Sequence, residues 1–470
     1  MTFEMNELQN INRIHLIGVG GISMSGIAEI LLEEGYNVSG SDMHQTPITN
    51  HLEEKGATLY YSHDGKNVHG AQLIVYSAAI KEDNPERIRG VELGIPAIDR
   101  AKMLGQIMKN YDHAIAIAGS HGKTTTTSFV SLLLEYSNMD PTIMVGGNLD
   151  EIGGNIKIGK SQYFVTEACE YFESFLQFRP RVGVLLNIDR DHLDYFKDID
   201  HIIRAFESFA NLIPDRGYLV AFNDNHYIQE MLPRLDCKVV TYGVKKDSHF
   251  MAKNITFNLY GHARFDLFYM GENLGPILLQ VPGLHNIYNA LAAIATVYLL
   301  GVPMAEIQDN IGRFKGIHRR FDIIGKVKGA TIVDDYAHHP VEIEATLAAA
   351  QKVKHNTSWC VFQPHTYSRT EALLEDFSRA FSECDHVILT DIYAAREKDE
   401  GVVSSRDLYD LMKDHKSVRY LRSFEEVRDY LYENINSGDL VLTMGAGDVN
   451  KIGEMLLELE TADSEYKVLP

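Results

Sequence analysis

Residues 115–130 read "IAIAGSHGKTTTTSFV": an apolar β-like run, a Gly-rich turn, then Gly-Lys-Thr opening a helical pattern. A strand feeding such a turn aims backbone N–H groups at an anion. Lys123 adds a mobile positive charge suited to β/γ-phosphates, and Thr124 a hydroxyl suited to Mg2+. The usual GxxxxGK[ST] spacing is not met, because Ile117 stands where its first glycine would be and the first glycine here is Gly119. The loop is short. A strand-to-helix turn with a solvated lysine is the bland alternative, and phosphate binding is the stronger reading. A second Gly-rich turn lies far upstream in "HLIGVGGISMSGIAEIL", residues 15–31.

Working outward, short apolar β-like runs alternate with helical patterns throughout, which predicts α/β architecture. At 470 residues the chain has room for about three domains. In the first, "RIHLIG" (13–18), "YNVSGSD" ending on Asp42, "AQLIVYSAAI" (71–80) and "IPAI" (95–98) predict four strands of a small doubly wound unit. The second starts at the central loop and continues through "QYFVTEAC", "RVGVLLNI", "GYLVAFN" and "CKVVTYG" to a helix over 286–300. The third starts near 320 and contains "ATIVDDYAHHP", "SWCVFQPH", "CDHVILTDIY" and "DLVLTMGAGD". The predicted boundaries are 1–110, 111–318 and 319–470. The tail after about 458 is polar and is expected to fray. Gly-rich "TMGAGDVNKI" (443–452) reads as a structural turn, with a role near a closed active site as the alternative.

The net charge of −21 argues against non-specific binding to nucleic acid or anionic membranes. Four cysteines without CxxC spacing read as free thiols of a reducing compartment. "MTFEMNELQNINR" lacks a basic n-region and an apolar h-region, and "NALAAIATVYLLG" (289–301) is too short to span a bilayer. A cytoplasmic protein without membrane insertion is expected.

A phosphate site needs metal ligands, and the strand ends that follow supply candidates. "FVTEACEY" puts Glu167 at one strand end, and "LLNIDRDHLDYF" puts Asp189, Asp191, His192 and Asp194 past another. Ligands of open α/β sheets gather at strand C-termini, so these groups can converge. Helix capping or solvated-loop roles stay open for the three aspartates. In the first loop Gly18 and Gly20 fit GxGxxG, but Ser23 replaces the third glycine, with Gly21 and Gly26 out of phase. Asp42 would be the ribose acid of a dinucleotide site, so hydride chemistry is a weak alternative.

"GSHGKTTTT", "TEACEYFESFL", "NIDRDHLDYF", "GLHNIYNALAA", "HRRFD" and "DDYAHHPVEI" occur in the order seen in the Mur ligase family. The chain resembles that family over nearly its whole length, most closely the branch that adds the first amino acid to the peptidoglycan precursor. The resemblance implies three domains: a Rossmann-like N-terminal domain for a UDP-sugar, a central P-loop-type ATPase domain, and a Rossmann-like C-terminal domain for the amino acid. Two nucleotides then explain two loops. It implies ATP-dependent ligation of L-alanine to the carboxylate of UDP-N-acetylmuramic acid through an acyl phosphate, with Mg2+ (or Mn2+) as cofactor, in a monomer or weak homodimer. The alternative within the family is a recycling ligase that attaches a murein tripeptide to the same sugar. A non-catalytic nucleotide switch is the alternative from another class.

Residue by residue, the resemblance gives Gly119, Ser120, His121, Gly122, Lys123, Thr124 and Thr125 to ATP. It also gives Asn286 and Asn289 to the adenine side, and Arg320 and Asp335 as groups reaching over the nucleotide. Thr124, Glu167 and His192 would hold metal. Gly18, Gly20, Gly21, Ser23, Asp42 and Ser77 would face the UDP-sugar. Tyr336, His338 and His339 would line the amino-acid pocket, with Arg369 on the amino-acid carboxylate. The contact at Thr366, where some relatives carry a basic residue, is left open. Either His338 or His339 could take the amine proton, since an unperturbed imidazole titrates near pH ~6.5. Sister ligases carry a carbamylated lysine that aligns with Phe206. Phenylalanine cannot form a carbamate, so metal binding here would do without one.

Overall fold

The computed structural model describes residues 11–466, with side chains through Thr461. Three sheets follow one another along the chain. The first is parallel throughout, in the order Thr58–Tyr60, Asn37–Ser41, Arg13–Ile17, Leu73–Tyr76, Ala97–Asp99. Its strand order reverses beside Arg13–Ile17, which places the upstream Gly turn at the crevice where such sheets bind ligands.

The central sheet has ten strands. Its parallel middle runs Val239–Gly243, Tyr218–Phe222, Val182–Leu185, His113–Ala118, Tyr163–Ala168, Thr142–Leu149. An antiparallel meander, Phe250–Phe257, His262–Tyr269 and Glu272–Pro282, extends one side, and Gly154–Lys157 caps the other. The third sheet runs Asp322–Val327, Ala330–Asp335, Leu440–Met444, Ser358–Phe362, His386–Leu389, Val418–Tyr420, antiparallel only at its first pair.

The expected strands are present, and the structure adds several. Thr58–Tyr60 and Val418–Tyr420 are three-residue edge strands, too short for their alternation to register. Thr142–Leu149, Gly154–Lys157 and the meander fall where no strand was expected. The helix expected over 286–300 runs Leu284–Leu299 and is packed into the central core. The tail does not fray after 458: a helix runs from Asn450 to Tyr466, and residues 467–470 lie outside the described region. Residues 443–452 are a strand-to-helix turn, tied down where Gln363 exchanges two hydrogen bonds with Asp448, each 3.0 Å. Phe206 is fully buried, edge-on to Phe175 at 5.3 Å. All four cysteines are free thiols. No described helix is long and apolar enough to cross a membrane.

Candidate active site

The central loop leaves the strand His113–Ala118 and enters the helix Lys123–Tyr136. Gly122 caps that helix at φ 82°, a left-handed conformation that disfavours any Cβ. A Cβ there would also lie 2.6 Å from the Asn289 Oδ1. Asn187, past the end of the neighbouring strand, fixes the loop twice: its Oδ1 accepts from the His121 N–H (2.8 Å), and its Nδ2 donates to the His121 carbonyl (3.0 Å). Ser120 Oγ accepts from the Asp189 N–H at 3.0 Å. Thr124 approaches Gly147, and its carbonyl accepts from Ser128 Oγ at 2.9 Å.

Lys123 Nζ curls into the loop, donating to the carbonyls of Gly119 and Ser120, and pairs with Glu170 Oε2 at 3.0 Å. Burial opposes its charge, but Glu170 outweighs burial and holds the ammonium above its ordinary pKa. Glu170, Asp191 and His192 bring one donor atom each within 4.8 Å of one another. His192 Nε2 is 3.8 Å from both Glu170 Oε1 and Asp191 Oδ2, and its ring stacks on Tyr171 at 4.4 Å. Burial would raise the Asp191 carboxyl, yet His192 and Arg369 keep it ionised, well below the usual carboxylate range. Among the described residues Glu167 is in no such cluster: its Oε1 accepts from the Gly146 N–H at 2.6 Å. The acid beside Lys123 and His192 is thus Glu170, which sequence reasoning missed. The signal was present in "TEACEY", three residues on. Asp194 accepts from the Tyr171 hydroxyl at 2.5 Å.

Two cavities flank this cluster. One, of about 440 Å³, is lined by Gly122, Thr125, Asn286, Asn289, Arg320 and Asp335 among others. Asn289 Nδ2 donates to Asn286 Oδ1 (3.1 Å), and Asn286 Nδ2 to the Pro282 carbonyl (2.8 Å), so the two amides form one fixed pair. Asp335 uses both oxygens locally, accepting from the Phe321 and Ala337 N–H groups at 2.7 Å each, and burial pushes its pKa up to about 6. The Arg320 guanidinium sits 5.0 Å from the Tyr336 ring centroid. The second cavity, of about 770 Å³, is lined by Tyr171, Asp191, His192, His365, Thr366 and Arg369 among others. Arg369 Nη2 donates to Asp191 Oδ1 at 3.1 Å, while its buried Nε has no partner among the described residues.

The two adjacent histidines are not equivalent. His339 caps the helix Pro340–Ala350: its Nδ1 accepts from the Val341 N–H (3.4 Å) and its Nε2 donates to the Arg190 carbonyl (2.9 Å). Both ring nitrogens are committed, so His339 has no lone pair for a substrate proton. His338 Nδ1 faces the Tyr336 carbonyl (2.9 Å) and Glu342 Oε2 (3.2 Å), which leaves Nε2 as the open acceptor. Burial pulls its pKa down to about 4 against the opposing pull of Glu342, so the ring is neutral. His121 has the opposite environment. Burial would lower it, but Asp189 (3.4 Å) and Glu342 (3.2 Å) bracket the ring and raise its pKa to about 10.

The upstream turn gathers the first set. Gly20 N–H donates to Asp42 Oδ2 at 2.9 Å, and Gly21 opens the helix Ile22–Glu33, which carries Ser23 in its first turn. A Cβ on Gly18 would lie 3.3 Å from the Ser77 Cβ, and Ser77 Oγ accepts from the Ala79 N–H at 3.4 Å.

Three family models match along the chain: "Mur ligase family, catalytic domain" over 13–112, "Mur ligase middle domain" over 117–297, and "Mur ligase, glutamate ligase domain" over 319–447. The chain belongs to the Mur ligase family. Among Mur ligases, it is 61% identical over 97% of its length, and 99% of the other chain, to the UDP-N-acetylmuramate–L-alanine ligase of Alkaliphilus metalliredigens. The enzyme of that name from Caldanaerobacter subterraneus is 52% identical over 96% of this chain and 98% of its own. Of solved Mur ligase structures, the UDP-N-acetylmuramate–alanine ligase of Thermotoga maritima superposes with a TM-score of 0.80 at 28% identity, covering 96% of this chain and 99% of its own. A murein peptide ligase from Psychrobacter arcticus shares the fold, with a TM-score of 0.69 at 24% identity over 95% of this chain and 98% of its own.

Proposed function

We propose that this protein joins L-alanine to the carboxylate of UDP-N-acetylmuramic acid at the expense of ATP, the first amino-acid addition of peptidoglycan precursor synthesis. The observation that carries the reading is the 61% identity, over nearly the full length of both chains, to an enzyme of that name. The tripeptide-recycling alternative rests on solved murein peptide ligases at 24% identity over 95% of this chain and 29% over 66% of it, far below the 61% to the alanine ligase. The rest of the reading is a cytoplasmic monomer or weak homodimer with working units divided near residues 110 and 318.

In this reading the UDP-sugar lies on the upstream turn, with Asp42 holding the Gly20 N–H in place. ATP lies in the 440 Å³ cavity, its adenine beside the Asn286–Asn289 pair and its phosphates on the central loop. The muramyl carboxylate attacks the γ-phosphorus, forming an acyl phosphate and releasing ADP. The alanine amine then attacks the acyl carbon, and inorganic phosphate leaves. Negative oxygens crowd together in the first step, so the Lys123 ammonium neutralises charge as it develops. Arg369, with its unpartnered buried Nε beside the second cavity, takes the amino-acid carboxylate. His338, with Nε2 open, accepts the amine proton only in passing, since a pKa of about 4 returns it to solvent.

The donor set fits a hard divalent cation. Two carboxylates and an imidazole bring donor atoms within 4.8 Å of one another beside the central loop. Glu170, Asp191 and His192 would hold Mg2+, with Thr124 and Glu167 as the further candidates. Mg2+ supplies charge neutralisation at phosphate oxygens. Substrate labelled with heavy oxygen in its carboxylate tests the route. Label in the released phosphate supports the acyl phosphate, and label retained only in the product contradicts it.

A further inference from the structure

Glu342 stands in the first turn of the helix Pro340–Ala350 and meets three groups at once. Its Oε1 is 3.2 Å from His121 Nδ1 and 4.0 Å from an Arg320 guanidinium nitrogen. Its Oε2 accepts from the His338 N–H at 3.1 Å and lies 3.2 Å from His338 Nδ1. One oxygen therefore faces the central loop and the other faces His338. His121 belongs to the phosphate loop, fixed by Asn187 and by Asp189, whereas Arg320 and His338 flank the third sheet.

We propose that Glu342 is a positioning residue that couples the nucleotide and amine sites. It anchors His338 with Nε2 free and at the same time ties that segment to His121 of the phosphate loop. The base is then in place only when the third unit is docked on the loop. The Tyr336 carbonyl takes the Nδ1–H and so sets the tautomer, while the carboxylate holds the His338 backbone N–H and flanks the ring, fixing its place.

The far end of the same helix is tied down as well. Lys354 N–H donates to the Leu259 carbonyl at 3.0 Å, and Tyr260 bridges Val353, so the tip of a meander hairpin grips the segment after the helix. With that end held, Glu342 governs how the helix start sits on the loop. A helix cap is the competing role for Glu342, since an acid in the first turn is favourable there and accepts the His338 N–H.

The coupling role deepens the ligase reading and rests on it, so two measurements separate the failures. The first is a cycle of E342Q, H121N and the double variant, followed by alanine-dependent ADP release. Glutamine keeps an acceptor for the His338 N–H but loses the charge pair with His121. The expected result is a 10- to 100-fold loss of kcat in E342Q, an unchanged KM for the UDP-sugar, and a double variant no worse than the worse single. Wild-type kcat in E342Q, or multiplying losses in the double variant, overturns the proposal. The second needs no amino acid: hydrogen exchange over 338–346 with and without a non-hydrolysable ATP analogue. Protection gained in the wild type and lost in E342Q is expected. Equal protection in both, or none in the wild type, overturns the coupling even where turnover has a different amine.

Discussion

The Lys123 ammonium lies 3.0 Å from Glu170 Oε2, so the cation of the phosphate loop is already paired with an acid of the proposed metal cluster. Each neutralises the other's charge, so the proposed placement of ATP and a cation here makes each of them necessary. K123A and E170Q should each lower alanine-dependent ADP release by at least ~100-fold, the usual size of losing one preorganised electrostatic group. E170Q should in addition require more Mg2+ for half-maximal rate. Steady-state rates across a Mg2+ titration check both, and E167Q run in parallel should show the smaller Mg2+ effect.

Arg369 holds Asp191 across the second cavity at 3.1 Å. R369A should raise the KM for alanine at least ~10-fold and leave the KM for the UDP-sugar unchanged. It should also lower thermal stability, because a buried ion pair that loses one partner costs about 3–5 kcal/mol. R369K should rescue stability better than affinity, since an ammonium lacks the planar fork that meets a carboxylate. Initial-rate kinetics and thermal melts separate the two effects.

Gly122→Ala places a methyl where φ is 82° and the Asn289 oxygen is 2.6 Å away. The backbone term alone is about 1–2 kcal/mol. Affinity for an ATP analogue should fall ~10-fold or more, while UDP-sugar binding at the upstream turn stays intact. Calorimetric titration of each ligand checks it.

The folded protein's histidines set opposite limbs of its pH stability. His121, raised to about 10, carries a proton that the unfolded chain releases near pH ~6.5. Its stabilisation is complete below that pH and is lost as pH rises from there towards 10. His338, His365 and His285 are each pulled down to about 4, chiefly by burial. The unfolded chain takes up their protons first, so stability is lost as pH falls from ~6.5 towards 4. Thermal melts should peak near neutrality, and His121→Gln should flatten the alkaline limb while leaving the acid limb.

The elements that carry the chemistry were legible because each pairs a strand with a distinctive turn. The central loop, "NIDRDHLDYF" and "DDYAHHP" all lie at strand ends as expected. The sheet edges were harder to read. Thr58–Tyr60 has three residues, and Gly154–Lys157 is half-buried along its length, so neither shows a clear apolar face. Within the site, sequence placed His338 and His339 as equals. Only tertiary contacts show that His339 spends both nitrogens on the Val341 N–H and the Arg190 carbonyl. Glu170 and Glu342 were missed for the same reason: each acts on partners distant in sequence or across a turn, His121 being 221 residues from Glu342. Phe206 was read as an absent carbamate, and the structure shows what stands there instead, a core aromatic against Phe175.

The most direct test is ADP release with Mg-ATP and UDP-N-acetylmuramic acid, adding L-alanine in one arm and the tripeptide L-Ala-γ-D-Glu-diamino acid in the other. ADP formed with alanine and not with the tripeptide is the predicted result. ADP formed only with the tripeptide, or in neither arm, would contradict the account.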